Sequence, residues 1–379
     1  MTDTRGGLSQ ARRLIVKIGS RALARQTDLP RALASQVAQI QNDKRRVLIV
    51  TSGAIALGME RLQYAARPKE MSRLQAAASA GQVELMRRWD EAFRAHDLIS
   101  AQILLTHADL ADRERLNNAR EAIAALLESG AVPIINENDS VATDEIRFGD
   151  NDQLASMVAP LVGADLLVLL TDVEGVLDPS GVRIAEMSET TEIGAGPRGE
   201  GPRVGSGGME SKLAAADKAR HAGAAVVVAN GLEPDVLLRI AAGEDVGTFF
   251  PRVGEVMRAR KHWILYTLRP KGTLLLDAGA ARAIRSGRSS LLPVGVLGLR
   301  GQFNPGDAVR MVDPDGAEVG RGLTRLGSLD LAHAAGKQGP ELELRFGPAS
   351  RDLVVIHKDD LAHVSGTSEP AGSTSKKKA

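Results

Sequence analysis

Ala131-Val132-Pro133-Ile134-Ile135 runs directly into Asn136-Glu137-Asn138-Asp139, and the polar run continues to Gly149-Asp150-Asn151-Asp152. The first five residues are a continuous apolar run of strand length. A strand buried on both faces belongs to a parallel sheet covered by helices. The seventeen residues from 136 to 152 carry carboxylates at 137, 139, 144, 145, 150 and 152, and asparagines at 136, 138 and 151. Such a strand end brings acids and amides to the carboxyl edge of a sheet, where open α/β sheets bind ligands. Acids packed so closely repel one another unless a cation shares the site. A substrate ammonium, a protein lysine or Mg²⁺ would serve. The competing reading is a solvated acidic loop that caps the next helix.

The same device recurs on either side of this stretch. Leu14-Ile15-Val16-Lys17-Ile18 opens into Gly19-Ser20, and Val47-Leu48-Ile49-Val50 opens into Thr51-Ser52-Gly53-Ala54. Leu166 to Leu170 ends in Thr171-Asp172, and Ala224 to Ala229 ends in Asn230-Gly231. Leu98 to Leu105 is a further strand candidate. Between these runs, helical periodicity covers Pro30 to Arg46, Met71 to Ala95, Ala108 to Ser129 with Gly130 after it, and Asn151 to Leu161. Gly205-Ser206-Gly207-Gly208-Met209-Glu210-Ser211-Lys212 opens a last helix, which runs to Ala222. Strands alternating with helices predict an α/β, three-layer αβα sandwich with a mainly parallel sheet, extending to about residue 250. Glycine turns at helix starts present free N–H groups to anions, and Lys17 and Lys212 each stand beside one. The Walker A spacing is absent. Read singly, Ser52 is an N-cap, Lys17 a strand-end lysine and the Gly-Gly pair a connector. Their repetition at strand ends favours a ligand.

Composition narrows the function. The 379 residues suggest two or three domains, and 43% hydrophobic content supplies a core that is only 3% aromatic. A net charge of +1 singles out no partner, and the lack of cysteine excludes disulfides and thiolate metal sites. No apolar run reaches the roughly 18 residues of a membrane span, and a cytoplasmic setting is expected. From residue 264 onward the runs shorten. Gly272 to Leu276, Ala308 to Val312 and Leu353 to Ile356 read as strands of a small mostly-β domain, and 365–379 as a disordered tail. From Arg258 to Arg300 nine Lys/Arg face one acid, Asp277, a weak nucleic-acid signal.

Together these segments resemble the amino-acid kinase family, and within it the glutamate 5-kinases. The resemblance rests on VKIGS at 16–20, VTSGAIALGM at 50–59, INENDSVATDEIRFGDND at 135–152, LLTDVEGV at 169–176 and GSGGMESKLAAADKA at 205–219. KGTLLLDAGAARAI at 271–284, SSLLPVGV at 289–296 and NPGDAVRM at 304–311 resemble a PUA domain. The domains implied are a catalytic unit at 11–255 and a PUA-like unit at 270–364. The resemblance implies the amino-acid kinase fold and transfer of the ATP γ-phosphoryl group, with Mg²⁺, to the side-chain carboxylate of L-glutamate. It implies Lys17, Lys212 and Asp150 as catalytic residues, with Asp150 orienting the lysines. Ser52, Asp139 and Asn151 would bind glutamate. Lys17, Gly19, Thr171, Asp172, Ser206, Gly207, Gly208, Met209, Glu210, Ser211 and Lys212 would line the nucleotide. No side-chain metal ligand is implied. Inhibition by proline, a homodimer or homotetramer and coupling to glutamyl-phosphate reductase are expected of such a chain. The alternatives are another acceptor within the same fold, or an RNA-binding protein acting through its PUA-like unit.

Overall fold

The computed structural model describes residues 4–142, 151–187, 208–253, 256–287 and 289–364. The chain divides into two compact units, Met1–Ala259 and Arg260–Ala379. The first contains a seven-stranded sheet of β1 (Arg13–Ile18), β2 (Arg46–Val50), β3 (Ser100–Leu105), β4 (Val132–Glu137), β5 (Leu166–Thr171), β6 (Ala225–Asn230) and β7 (Thr248–Phe250). Their order is β3-β4-β2-β1-β5-β6-β7, and only the edge strand β7 runs antiparallel to its neighbour. The helices are α1 (Ser20–Arg25), α2 (Leu29–Asn42), α3 (Ala54–Arg61), α4 (Met71–Arg94), α5 (His107–Ala111), α6 (Arg113–Glu128), α7 (Asn151–Val162), α8 (Met209–His221) and α9 (Val236–Ala242).

Residue parity along the strands sorts side chains into two cores. Leu14, Val16 and Ile18 of β1 pack with Leu33 and Val37 of α2 and Trp89 and Phe93 of α4. Ile15 faces the other way, into a core with Ile123 of α6, Val158 of α7 and Ala215 of α8. This is the αβα sandwich, and burial on both faces is why its strands read as unbroken apolar runs. Lys17 shares the parity of Ile15. It therefore points to the α7 and α8 side, the one polar residue among the buried residues 14–18 of the strand.

The chain leaves β1 for β2 on one side and leaves β5 for β6 on the other. The crevice beyond the carboxyl ends of β1 and β5 is therefore a topological switch point, the usual ligand position in such sheets. Another device locks the neighbouring corner. Helices α3 and α4 cross backbone to backbone at two glycines. A Cβ on Gly58 would lie 1.6 Å from the Ala77 carbonyl oxygen, and one on Gly81 would lie 1.7 Å from that of Ala54. Only glycine permits this approach.

Three expectations from sequence change in detail. The helix expected from Ala108 to Ser129 is two helices, because Asp112 adopts extended φ/ψ and its side chain accepts from the Arg115 N–H at 2.9 Å as an N-cap. The helix expected to reach Arg46 ends at Asn42, where Lys44 turns the chain with φ +58° and Arg46 opens β2. The third lies in the second unit. Its sheet runs β12-β11-β10-β8-β9, built from β8 (Gly272–Leu276), β9 (Val296–Gly301), β10 (Ala308–Val312), β11 (Glu318–Leu323) and β12 (Leu361–His363). Leu353 to Ile356 is not a strand. Val355 and Ile356 are buried, but the segment pairs through a single bridge between Leu291 and Ile356. Its apolar run signalled burial, which a loop can also supply. The basic excess of this unit is partly internal: Arg260 pairs with Asp360, Lys271 with Asp307 and Arg285 with Asp313. The neutralising acids lie outside the window in which the excess was counted.

Candidate active site

The site grows from the carboxyl ends of β1, β2, β4 and β5. Lys17 is only 5% exposed, and its Nζ lies 2.7 Å from Oδ1 of Asp152. Lys212, in the first turn of α8, is 6% exposed and donates to Oδ2 of the same carboxylate at 2.9 Å. Asp152 is fully buried in the first turn of α7, where a helix N-terminus favours a negative charge. Burial pushes its carboxyl up, but the Lys17 and Lys212 ammonium groups outweigh this and hold it below the usual carboxylate range. Two lysines 195 positions apart in the chain are thus pinned side by side on one buried acid.

The orienting acid expected from sequence was Asp150, which lies outside the described residues. Among the described residues Asp152 does that work. The signal that could have found it is its place as the second residue of a helix opening at Asn151.

Beside the lysines is an amide cradle. Asn151 Nδ2 donates to the Thr51 carbonyl, to Ser52 Oγ at 2.9 Å and to Asn136 Oδ1 at 2.9 Å. This joins the ends of β2 and β4 to the start of α7. Asn151 Oδ1 is buried and has no hydrogen-bond partner among the described residues. Gly53 follows at φ +106°, a left-handed conformation that turns the chain from β2 into α3. Trp89 of α4 steadies the turn by donating to Thr51 Oγ1 at 3.2 Å.

Asp139 lies past the end of β4 in a turn held by the Ala142 N–H to the Asn138 carbonyl at 3.1 Å. Burial pushes its carboxyl up to about 6, with Arg67 acting weakly in the opposite direction. Helix α4 braces this turn through Ser79 Oγ to Ser140 Oγ at 2.8 Å. The sequence-expected glutamate residues Ser52 and Asn151 are therefore in direct contact, and Asp139 occupies the same sheet edge.

The expected nucleotide residues divide. Thr171 ends β5, next to β1, and Asp172, the residue after it, pairs with Arg25 at 3.4 Å. Gly208 caps α8, and Met209, Glu210, Ser211 and Lys212 form its first turn. Ser211 is held by Gln153, whose Nε2 donates to its carbonyl at 3.2 Å. Gly19 has φ −79°, open to any residue, and a Cβ there would stand 3.7 Å from Lys17 Nζ. Its freedom concerns the space beside the ammonium and not backbone conformation. Ser206 and Gly207 lie outside the described residues.

What this arrangement can do follows from its charges. Two lysines share one acid, so the cluster of three carries a surplus positive charge beside a cradle for small polar groups. It suits a transferring anion and needs no proton donor. No three His, Cys, Asp or Glu side chains among the described residues converge as a metal site.

Comparison with known proteins agrees with this geometry. The model described as the amino acid kinase family matches residues 12–230, and that of the PUA domain matches 272–344. Proteins named glutamate 5-kinase from Burkholderia ambifaria and Burkholderia vietnamiensis are each 43% identical over 369 residues, 94% of this chain and 99% of theirs. A solved chain described as isopentenyl phosphate kinase aligns over 62% of this chain and 99% of its own at 17% identity and a TM-score of 0.44, too remote to carry an argument. The buried lysine pair, the switch-point crevice and near full-length relatives converge: the chain belongs to the amino acid kinase family, in its glutamate 5-kinase branch, with a PUA domain at its C-terminal end.

Proposed function

We propose that this chain transfers the γ-phosphoryl group of ATP to the side-chain carboxylate of L-glutamate, forming L-glutamyl 5-phosphate for proline biosynthesis. The observation that carries the reading is the pinning of Lys17 and Lys212 on Asp152 beside the Ser52–Asn151 cradle. A glutamate side chain with a pKa near ~4.3 is ionised at neutral pH, so no base is required. A bond forms between the carboxylate oxygen and γ-phosphorus, the bond to the β,γ-bridging oxygen breaks, and ADP leaves with that electron pair. Total charge is conserved without a proton transfer. The barrier is the approach of two anions, and positioned cations lower it. Lys17 and Lys212 neutralise phosphoryl oxygens from two sides, while Asp152 fixes where the ammonium groups stand.

The remaining roles follow the same chemistry. Ser52 and Asn151 orient the α-substituents of glutamate, and Asp139 takes its ammonium. Thr171, Asp172 and the 206–212 segment line the nucleotide, and Asp150 joins Asp152 in orienting the lysines. Mg²⁺ accompanies ATP, held mainly by phosphate and water, since Asp152 is already engaged by two lysines. Proline competes at the glutamate cradle, because it presents the same carboxylate and ammonium. The catalytic unit spans 11–255 and the PUA-like unit 270–364. Homo-oligomers, delivery of the labile acyl phosphate to a reductase and a cytoplasmic location complete the proposal.

The test is ADP release from purified protein with Mg-ATP, comparing L-glutamate, L-aspartate and N-acetyl-L-glutamate with hydroxylamine present. Glutamate-dependent ADP matched by γ-glutamyl hydroxamate is expected. Hydroxamate from aspartate or acetylglutamate instead would reassign the acceptor.

Asp139 adds a pH signature. An acid raised to about 6 must give up its proton to pair with the substrate ammonium. The glutamate KM is expected to rise about tenfold per pH unit below about 6, with the ATP KM flat. The sign for stability is opposite. A raised pKa means that the fold favours the protonated acid, so this contribution is present below the ordinary carboxyl range and is lost as pH rises through 6. Asp139→Asn should abolish the pH trend and hold the glutamate KM high throughout. Equal rises in both KM values would mean that Asp139 organises the whole site.

A further inference from the structure

We propose that Gln82, on α4 and remote from the phosphoryl site, is a positioning residue that sets the hydrogen-bond polarity of the substrate cradle through Asn136 and Asn151. The proposal rests on the reading of that cradle as the glutamate site.

The argument starts at an atom with no choice. The Thr51 carbonyl can only accept, so Asn151 must turn its NH₂ group towards it. The same NH₂ faces the Asn136 side chain at 2.9 Å, so Asn136 must present Oδ1 there. Its own NH₂ then points the other way, at Gln82, 2.9 Å off. Gln82 must therefore present Oε1, which leaves its Nε2 to donate to Gln102 Oε1 at 3.3 Å. Four amide side chains stand head to tail: Gln102, Gln82, Asn136 and Asn151. Reversing any one inner amide sets donor against donor or acceptor against acceptor. Asn136 and Asn151 are 2% and 6% exposed, so water cannot readily repair such a fault.

The polarity has a chemical consequence at the cradle. Ser52 Oγ accepts from Asn151, which keeps its own O–H available to donate to an oxygen of a ligand. Asn151 Oδ1 is left as an acceptor without a partner among the described residues. One donor and one acceptor side by side match the carboxylate and ammonium of an α-amino acid. Helix α4 can hold this register because Gly81, the residue before Gln82, is locked against the Ala54 carbonyl of α3. The position-82 requirement is thus specific: an acceptor atom at Oε1, not merely a polar side chain.

Steady-state kinetics of Gln82→Met, Gln82→Lys and Gln82→Glu test this, with thermal unfolding alongside. Methionine has no comparable acceptor and lysine offers only donors. Both are expected to raise the glutamate KM about tenfold, the cost of leaving one buried amide donor unpaired, with the ATP KM and kcat within twofold of the parent. Glutamate at 82 retains the acceptor and should restore the glutamate KM to within about twofold. A glutamate KM unchanged in Gln82→Met, or Gln82→Glu as damaged as Gln82→Met, would overturn the proposal. So would a parallel rise in both KM values, the mark of a merely structural role. A parent enzyme without glutamate-dependent ADP release would overturn the functional reading itself, which separates the two failures.

Discussion

Asp152→Asn is expected to lower kcat by about 10³-fold and to cost the fold about 3–5 kcal/mol. The wild-type carboxylate has no exposure to solvent and meets one ammonium group on each oxygen, at 2.7 and 2.9 Å. An asparagine of the same shape offers one carbonyl acceptor. Its NH₂ group faces the other lysine, so two buried cations confront each other across a neutral amide. Desolvated charges without a partner are the most expensive defects a core can hold. Lys17 and Lys212 would relax away from each other, and the convergent geometry that phosphoryl transfer requires would go with them. The measurements are kcat at saturating ATP and glutamate, and urea unfolding. A variant with wild-type kcat would show that the lysines do not need Asp152 to be positioned. Acid unfolding supplies an independent check. The Asp152 pKa is depressed in the fold, so its contribution is present above the ordinary carboxyl pKa and is lost as pH falls through the lower folded value. The variant should lack that part of the acid transition.

Lys17→Met should lose about 10²- to 10³-fold in kcat while folding normally. Its outcome differs from that of Asp152→Asn for a simple electrostatic reason. Removing one lysine leaves Asp152 paired with the other, so no buried charge is stranded. Methionine also suits the apolar strand that Lys17 interrupts, and the stability change should be small or favourable. Lys212→Met should behave alike. The double variant should not be the sum of the two, because it leaves Asp152 buried with neither cation and forces it to take up a proton. Its stability should fall and become strongly pH-dependent, rising in acid. Wild-type kcat in Lys17→Met would remove this lysine from the phosphoryl site. Unfolding of either single variant would show that both lysines are required to balance Asp152.

How much of this was legible beforehand differs by level. Apolar runs such as Leu166 to Leu170 are long, β-branched or leucine-rich and bounded by small polar residues, and in the first unit each one is a strand, whereas Leu353 to Ile356 in the second is a buried loop. Their burial on two faces is a local property of the residues, so the parallel sandwich could be read from them. Element ends were less legible. Asp112 caps a new helix where periodicity alone continues the old one, because the apolar spacing does not register a backbone turned by one side-chain hydrogen bond. The tail from 365, expected to be disordered from its composition, and the acidic stretch from 143 to 150 lie outside the described residues.

The chain by itself determined the sheet, the edge of the sheet that carries the polar groups and the kinds of group gathered there: lysines beside glycine turns, and amides and acids at strand ends. Those follow from which side chains water rejects and which strand ends can bear charge. Tertiary structure alone decided the pairings. Nothing in the motif marks Asp152 as the partner of two lysines. That pairing comes from a helix that begins at Asn151 and turns Asp152 towards Lys17 of β1 and the first turn of α8. Gln82 and Asn136 are 54 positions apart, and nothing in either neighbourhood marks them as partners. Hydrogen bonds and buried ion pairs depend on distances of about 3 Å and on direction, and only the packed chain sets those between residues remote in sequence.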